Sequence, residues 1–305
     1  MKRKWKKIIP SIGYLLLAAA VVLAAAFYPE PHPQEEAERK VVRVWNIDTF
    51  EGGKGSRTSF LKNAARRAEK KMNCVYYLVS SYTLEGARSA FEEGCFPDVL
   101  SFGIGLSEFA ELSLPLSYDF SGGKIGEKTL AYPWCRGGYA LFSLTEDFTE
   151  EGKVAISSGG NNLVEVAAIM NDIEGETLPA LSAYTKFLNG EYRYLLGTQR
   201  DLCRFQARNV NIYFQPLPAY SDLYQYISLL NPNAQKEGLA LLEQLLSAPE
   251  KIQEIGMFPV VGTSEFAVTP QRTLGVFTSR ETISGLEQAA RVGDKNFIEK
   301  FLKTI

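Results

Sequence analysis

Residues 41–102 have the sequence VVRVWNIDTFEGGKGSRTSFLKNAARRAEKKMNCVYYLVSSYTLEGARSAFEEGCFPDVLSF. Val41–Trp45 and Val75–Val79 are short runs rich in β-branched and aromatic residues, which predict strands. Between them, the apolar residues from Phe60 to Met72 recur at helical spacing and predict an amphipathic helix. Asp98–Phe102 predicts a third strand. Strands that alternate with helices in this way predict a parallel sheet with crossover helices.

The helix between the second and third strands has recognisable ends, since Thr83 is a candidate N-cap and Gly94 marks its stop. After this region, Ala131–Trp134 is predicted to end another strand. Gly137-Gly138-Tyr139 follows and predicts a hinge at which the chain leaves one lobe for another. Gln215–Pro218 interrupts the pattern again and predicts a second crossing, because proline cannot donate to a strand ladder.

The elements between the two crossings indicate a second α/β region, and further elements follow the second crossing. We predict strands at Val154–Ser157, Tyr192–Leu196 and Leu223–Leu229, and helices at Val164–Met170, Ala180–Leu188, Leu239–Leu246 and over most of Glu281–Ile305.

The N-terminus predicts passage into a membrane. A basic run is followed by the uncharged stretch Ile8–Tyr28, which as a helix is about 31 Å long and matches a hydrocarbon core of ~30 Å. The basic side is expected to stay cytoplasmic, which exports the rest of the chain. Ala24-Ala25-Ala26 also offers a cleavage site, so an anchor and a cleaved signal peptide both remain open. The proline-rich residues 29–40 predict an extended stalk.

Charge argues against a nucleic-acid partner. Five of the 33 basic residues lie within the first seven positions, which leaves 28 basic residues against 35 acidic residues in the rest of the chain. The exported part therefore has a net charge of −7. A nucleic-acid binder needs a basic patch to displace counterions. We therefore expect no nucleic-acid partner.

The residue types also exclude several enzyme chemistries. The only histidine is His32, in the stalk, which excludes a Ser-His-Asp or Cys-His pair and a histidine-ligated zinc site in the globular body. Gly52–Ser56 lacks the spacing of a phosphate-binding loop. Two carboxylates suffice for a glycosidase, and Asp48, Asp98 and Asp201 are candidates. We expect no enzyme, no catalytic residue, no metal and no cofactor, with a carbohydrate-active enzyme as a remaining alternative.

The four cysteines, Cys74, Cys95, Cys135 and Cys203, match no CxxC motif and stand on the exported side, where oxidation is permitted. Cys74 and Cys95 precede two predicted parallel strands at the same end of one sheet, so a disulfide between them is one interpretation. Buried free thiols are the other.

Several groups are placed to bind a ligand. The glycine run after the first strand lies at the carboxyl end of a parallel strand, where open α/β sheets bind ligands, although a plain flexible turn explains it equally well. Trp45, Tyr82 and Trp134 fall at predicted strand ends, where an aromatic face suits a sugar. Arg200, in a polar cluster between a strand and a helix, is a further candidate.

Taken in order, short motifs along the chain resemble those of the family 1 extracellular solute-binding proteins, best known from sugar uptake. The resemblance covers most of Val41 to about Val261. It rests on Val44-Trp45-Asn46 leading to Phe50-Glu51-Gly52-Gly53, on Gly94-Cys95-Phe96-Pro97-Asp98-Val99-Leu100, on Ala131-Tyr132-Pro133-Trp134, and on Phe187-Leu188-Asn189-Gly190 with Gly197-Thr198-Gln199.

The resemblance implies an α/β periplasmic-binding-protein-like fold with two lobes and a hinge, preceded by the signal or anchor helix at 1–28. Lobe I would comprise 41–133 and 217–265, and lobe II 134–216 and 266–305. The implied ligand-binding residues are Trp45, Asn46, Arg57, Tyr82, Asp98, Trp134 and Arg200, with Tyr82 and Asp98 at neighbouring strand ends.

The implied function is capture of a small polar ligand for an ABC permease, with a carbohydrate as the first candidate. We expect a monomer at the extracytoplasmic face of the cell membrane, or a secreted protein if the helix is cleaved. The alternative is a membrane-anchored sensor or assembly subunit that reuses the fold.

Overall fold

The computed structural model describes residues 17–23, 39–159, 161–260 and 268–303. The chain divides into two compact units, Met1–Arg39 and Lys40–Ile305. In the first unit, residues 17–23 are helical (α1). No helix among the described residues is both long and apolar enough to cross a membrane. Most of the predicted helix over Ile8–Tyr28, and nearly all of the predicted stalk, lie outside the described residues.

The second unit is built on two five-stranded sheets, each with helices packed against it. The first sheet has the strand order β2-β1-β3-β12-β6, in which β1 is parallel to β2 and β3, and β12 is antiparallel to β3 and β6. Its strands are β1 (Lys40–Ile47), β2 (Val75–Tyr82), β3 (Val99–Phe102), β6 (Tyr132–Arg136) and β12 (Tyr224–Leu229). The parallel sheet predicted from residues 41–102 is confirmed.

The second sheet has the order β11-β7-β10-β8-β9, with β8 parallel to β9 and β10, and β7 antiparallel to β10 and β11. Its strands are β7 (Tyr139–Ser143), β8 (Val154–Ser158), β9 (Glu176–Pro179), β10 (Tyr194–Thr198) and β11 (Tyr213–Pro216). A small hairpin of β4 (Lys124–Ile125) and β5 (Lys128–Thr129) stands apart from both sheets.

The helices cover the sheets through apolar faces. In the first sheet, α2 and α7 pack on one face around Val42, Val44 and Leu241, while α3 covers part of the other face. In the second sheet, α4 and α5 pack against β8, and α9 and α10 pack against α4. The helices are α2 (Arg57–Lys71), α3 (Leu84–Glu92), α4 (Val164–Met170), α5 (Ala180–Leu188), α6 (Gln199–Ala207), α7 (Gln235–Leu246), α8 (Pro249–Glu254), α9 (Arg280–Arg291) and α10 (Lys295–Leu302), with 3-10 helices at Ser107–Leu112, Ser121–Gly123 and Pro232–Ala234.

The chain passes between the sheets at the two places where the sequence predicts crossings. Gly137 and Gly138 join β6 of the first sheet to β7 of the second, and residues 217–223 return from β11 to β12. The two-lobed α/β fold predicted from the sequence is confirmed, while the exact limits of the two lobes stay a prediction.

Two details of the strand predictions are wrong. Ala131–Trp134 does not end a strand, because β6 runs on to Arg136 and pairs with β12. Asp98 precedes β3 and Tyr82 ends β2, so in these parallel strands the two residues lie at opposite ends of the sheet rather than at neighbouring strand ends.

Candidate functional site

A loop of the first lobe contacts a helix of the second at the carboxyl ends of their strands. The loop is residues 48–56, between β1 and α2, and is called here the glycine loop; the helix is α6, which follows β10. Carboxyl ends of strands are where open α/β sheets bind ligands. The interlobe contact formed by Glu51, Gln199 and Arg200 is therefore the candidate functional site.

The start of α6 is fixed by a local capping box. The side chain of Thr198 accepts a hydrogen bond from the backbone N–H of Arg200, and the Asp201 carboxylate accepts one from the Thr198 backbone N–H at 3.1 Å. Reciprocal bonds of this kind satisfy backbone donors that a helix start leaves unpaired. Burial raises the pKa of the Asp201 carboxyl, and its bonds to Thr198 and Arg204 oppose that shift. The capping box holds Gln199 and Arg200 towards the first lobe.

Gln199 ties three segments together. Its Nε2 donates to the main-chain oxygen of Glu51 at 2.9 Å, and its Oε1 accepts from the N–H of Gly138 at 3.1 Å. Its own N–H donates to the carbonyl of Gly138 at 3.2 Å. The residue is only 1% exposed. A single amide therefore joins the glycine loop, the first crossing and α6.

Arg200 adds a charged contact beside this amide. Its guanidinium forms an ion pair with the Glu51 carboxylate, and each side chain keeps about a third of its surface exposed. Burial and the nearby Arg204 lower the pKa of Arg200, while Asp201 opposes the shift. A partly exposed pair contributes little to stability, so these two groups can exchange partners at small cost.

The glycine loop also packs against the residues that follow α8. The N–H groups of Lys54 and Gly55 both donate to the carbonyl of Ile255, at 3.0 and 3.1 Å. A methyl group on Gly53 would lie 2.1 Å from the oxygen of Gly256, and one on Gly256 would lie 2.6 Å from the thiol of Cys203 in α6. Gly53 is needed because the two backbones approach so closely there.

Below the glycine loop lies a buried polar cluster formed by Asn46, Ser101, Trp134 and Gln225. Ser101 donates to Asn46 Oδ1 at 2.9 Å and accepts from Trp134 Nε1 at 3.2 Å and from Gln225 Nε2 at 3.1 Å. All four residues are 0% exposed, and the Trp134 ring stacks on Phe60 at 5.4 Å between centroids. The cluster fixes the ends of β1, β3 and β12 relative to one another.

Arg57 lies beside this cluster, at the start of α2. Its Nε contacts Asp48 Oδ1 at 2.9 Å, its Nη2 donates to the Phe50 carbonyl, and its guanidinium lies 4.2 Å from the centre of the Phe50 ring. It is 2% exposed. Three buried side-chain atoms here have no hydrogen-bond partner: Arg57 Nη1, Gln225 Oε1 and Thr49 Oγ1. Arg57 therefore positions the glycine loop from within.

Trp45, Tyr82 and Asp98 belong to a different cavity. All three line an open groove of about 760 Å³ on the face of the first sheet opposite α2, together with Arg43 and Leu78. The rings of Trp45 and Tyr82 are 4.3 Å apart. Asp98 accepts from the Arg43 backbone N–H at 2.7 Å and from Asn231 Nδ2 at 2.6 Å, so it joins the loop before β3 to the chain after β12.

The predicted site residues thus separate into three groups. Arg200 lies in the interlobe contact; Asn46, Arg57 and Trp134 are buried beneath it; Trp45, Tyr82 and Asp98 line the groove. The prediction that Trp134 lies in the cleft is wrong, because the indole has no exposed surface and packs in the core. Ligand binding by these seven residues stays a prediction.

Glu51 and Gln199 of the site, and Gln225 of the buried cluster, are not among the residues that the sequence predicts to bind a ligand. Thr198, just before Gln199, and Asp201, two positions after it, together indicate the start of a helix. They do not indicate that Gln199 bonds to Glu51, which is 148 positions away. Glu51 directly precedes the glycine run that follows the first strand. Only the placement of the two lobes identifies the contact between them.

A buried carboxylate lies at the second crossing. Asp222 accepts from Tyr139 Oη at 2.7 Å and from the Leu163 N–H at 3.3 Å, next to α4. Burial raises the pKa of Asp222 to about 6, and its hydrogen bonds from Tyr139 and Leu163 oppose that shift. Asp222 joins the second crossing to β7 and α4.

The four cysteine side chains form no disulfide bonds. All four cysteines are free thiols: Cys74 and Cys95 are exposed, Cys203 is half-buried and Cys135 is buried. Cys74 and Cys95 precede β2 and β3, which are separated by β1. Within the described residues no group of three or more His, Cys, Asp or Glu side chains is placed to hold a metal ion.

Comparison with solved structures identifies the architecture. A maltodextrin-binding protein, MalE1 from L. casei BL23, aligns over 87% of this chain and 98% of its own, with a TM-score of 0.58 and 12% identity. The sugar-binding protein MalE from Xanthomonas citri aligns over 85% and 92%, with a TM-score of 0.63 and 14% identity. RafE from Streptococcus pneumoniae aligns over 88% and 97%, with a TM-score of 0.56 and 12% identity.

The fold is that of two-lobed periplasmic binding proteins. Identities this low show a shared fold and nothing finer. No family model matches the sequence, and no curated protein matches it either. The resemblance to family 1 solute-binding proteins is thus supported for the binding-protein fold, and the function rests on the site.

Proposed function

We propose that this protein captures a small polar solute between its two lobes and delivers it to an ABC permease. A carbohydrate is the first candidate for that solute. The observation that supports this most is the interlobe contact of Glu51, Gln199 and Arg200 at the carboxyl ends of the strands of both sheets. A hinged pair of lobes can open at this contact and close on a ligand.

The groups in the contact suit a polyhydroxylated ligand. When the lobes separate, the Glu51 carboxylate and the Arg200 guanidinium lose each other, and the Gln199 amide loses its bond to Glu51. Together they offer acceptors and donors in both lobes, and hydroxyl groups of a sugar can both donate and accept. A solute that bonds to both sets replaces the direct contact and favours the closed state by its differential affinity.

Binding would occur outside the cytoplasm. The basic run and the apolar stretch at the N-terminus support export with retention at the cell membrane, or secretion after cleavage. We expect binding without turnover. The three carboxylates considered for glycoside chemistry have structural partners: Asp48 pairs with Arg57, Asp98 with Asn231, and Asp201 with Arg204.

The experiment is a thermal-shift screen of residues 39–305, which contain the whole second compact unit. Mono- and oligosaccharides, amino acids and peptides are tested, because a ligand that binds only the native state raises its apparent stability. Arg200→Ala should abolish a saturable shift, whereas Arg208→Ala, at the end of the same helix, should retain it. A shift of equal size in both variants would exclude this site.

A second candidate function is a membrane-anchored sensor or assembly subunit that binds no solute. It is favoured by the close approach of Gly53 to Gly256 and by the burial of Gln199, through which the chain fills part of the contact with its own atoms. Small-angle scattering separates the two functions. Solute-dependent compaction supports capture, and an unchanged radius of gyration with every solute supports the sensor or assembly role.

A further inference from the structure

The Arg200 guanidinium in the interlobe contact has a carboxylate of its own chain as its partner. Among the described residues, Glu51 is the only ion-pair partner of Arg200, and Arg200 is the only one of Glu51. A guanidinium presents its N–H donors in a planar fork that matches the geometry of a carboxylate. The group that occupies this fork therefore has the chemistry expected of a ligand that binds there.

Glu51 is held by its main chain and not by its side chain. Its carbonyl oxygen accepts a hydrogen bond from Gln199 Nε2 at 2.9 Å. Its side chain is 37% exposed and forms no ion pair within the described part of the chain apart from that with Arg200. The carboxylate can therefore turn into solvent while the glycine loop stays in place. Another carboxylate can then take its position on Arg200.

The other carboxylates of the glycine loop and of α6 already have cationic partners. These pairs are Asp48 with Arg57, at 2.9 Å, and Asp201 with Arg204, at 3.0 Å. The segment that packs on the glycine loop adds Glu254, which is exposed at the end of α8, where solvent and salt screen its charge. The carboxylate that competes directly with a ligand for Arg200 is therefore that of Glu51.

A second cation adjoins the contact. Lys54 of the glycine loop is exposed, and its ammonium has no ion-pair partner among the residues that the structure describes. Burial raises the pKa of the Cys203 thiol in α6, and the charge of Lys54 opposes that shift, so Lys54 lies close to α6 as well. When Glu51 turns away, Arg200 and Lys54 are two unpaired cations at one cleft, which favours an anionic ligand.

We propose that Glu51 occupies the position of a ligand's acid group, and that the captured solute is a sugar acid whose carboxylate displaces Glu51 from Arg200. This inference rests on the proposed function, capture between the lobes, and names the class of solute. Hydroxyl groups of the same solute can bond to the Gln199 amide and to the displaced Glu51 carboxylate. The ion pair of Glu51 and Arg200 is then an autoinhibitory contact, because it must break before the acid binds.

The strength of this pair sets how far Glu51 weakens binding. Exposed ion pairs are weak, and their strength corresponds to a factor of about two to five in affinity. We therefore expect Glu51→Gln to bind the acid about two- to fivefold more tightly, since a neutral amide competes less well for a guanidinium. Arg200→Gln removes the cation itself and should weaken binding of the acid about tenfold or more.

The test is calorimetric titration of residues 39–305 with pairs of sugars that differ only in the acid group at C6. The pairs are glucuronate with glucose and galacturonate with galactose, as monomers and as oligomers. We expect the acid of a pair to bind the wild type about tenfold more tightly than its neutral partner, because closed lobes shield its ion pair from water and Lys54 adds to it. Glu51→Gln should strengthen binding of the acid and leave that of the neutral sugar unchanged.

Glu254→Gln is the matched control, because it removes the same charge from the exposed end of α8 without freeing Arg200. Two results overturn the inference and leave solute capture in place: neutral sugars that bind as tightly as their acids, or an affinity for the acid that rises no more in Glu51→Gln than in Glu254→Gln. If a folded wild type binds no solute at all, in titration or in the thermal-shift screen, capture itself is overturned.

Discussion

Gln199 in the second lobe donates a hydrogen bond of 2.9 Å to the main-chain oxygen of Glu51 in the first lobe, and it is almost completely buried while doing so. The same side chain accepts from the N–H of Gly138 in the first crossing. Opening the lobes must break the bond to Glu51 but can keep the bond to Gly138. Loss of the Gln199 amide should therefore shift the lobe equilibrium towards the open state.

We predict that Gln199→Ala opens the lobes. The substitution removes one donor and one acceptor at a buried position, which should lower the free energy of unfolding by about 1–3 kcal/mol. The half-buried thiol of Cys203, close to Gly256, should then react faster with an alkylating reagent. Gln206→Ala, at an exposed position on the same helix, is the control and should leave the reaction rate unchanged. Equal rates in Gln199→Ala and wild type would contradict the role given to this amide.

Gly53→Ala should disturb the glycine loop, whereas Gly52→Ala should not. A Cβ on Gly53 would lie 2.1 Å from a backbone oxygen, while one on Gly52 would lie 3.7 Å from its nearest neighbour. Overpacking of this kind typically costs about 1–3 kcal/mol. Chemical denaturation of both variants measures the difference. Two variants of equal stability would show that the loop does not pack on Gly256 in solution.

Trp134→Ala should destabilise the first lobe by about 3–5 kcal/mol, because it empties a fully buried site that stacks on Phe60. Trp134→Phe keeps a ring in that site and loses the bond to Ser101, so its cost should be nearer 1 kcal/mol. Urea unfolding followed by circular dichroism compares the two. If Trp134→Ala proves as stable as wild type, the indole is not a core residue.

The stability of the protein should depend on pH through Asp222. Its pKa is raised to about 6 in the folded chain by burial, against an ordinary value of 3.8. Between these values the folded state binds more protons than the unfolded state, so stability falls as pH rises from about 4 to 6, by up to about 3 kcal/mol. Denaturation across this range, with wild type compared with Asp222→Asn, isolates the contribution. The difference between the two curves should change with pH only inside that window, and a difference that is flat across it would contradict the burial of an ionisable carboxyl.

Local signals in the sequence were sufficient to predict most of the elements. Thr83 and Thr198 precede helices that they cap, and the alternation of strand and helix in residues 41–102 specifies a parallel sheet. These features depend on neighbours a few positions away, which periodicity and capping rules describe.

The composition of the site could be predicted only in part, because its contacts join residues far apart in the chain. The sequence predicts Asp98 at a strand end near Tyr82, but its carboxylate accepts a hydrogen bond from Asn231, 133 positions later. Trp134 stands beside a glycine pair that indicates a hinge, yet its side chain turns into the core to reach Ser101. No local pattern encodes which face of a strand meets which helix of the other lobe.

Solute binding between the lobes is tested most directly by calorimetric titration of residues 39–305 with the solute that gives the largest thermal shift, for wild type, Arg200→Ala and Arg208→Ala. The account predicts saturable one-to-one binding to wild type and Arg208→Ala, and an affinity at least tenfold lower in Arg200→Ala. Binding of equal affinity to all three proteins, or no binding of any solute to a folded wild type, would contradict it.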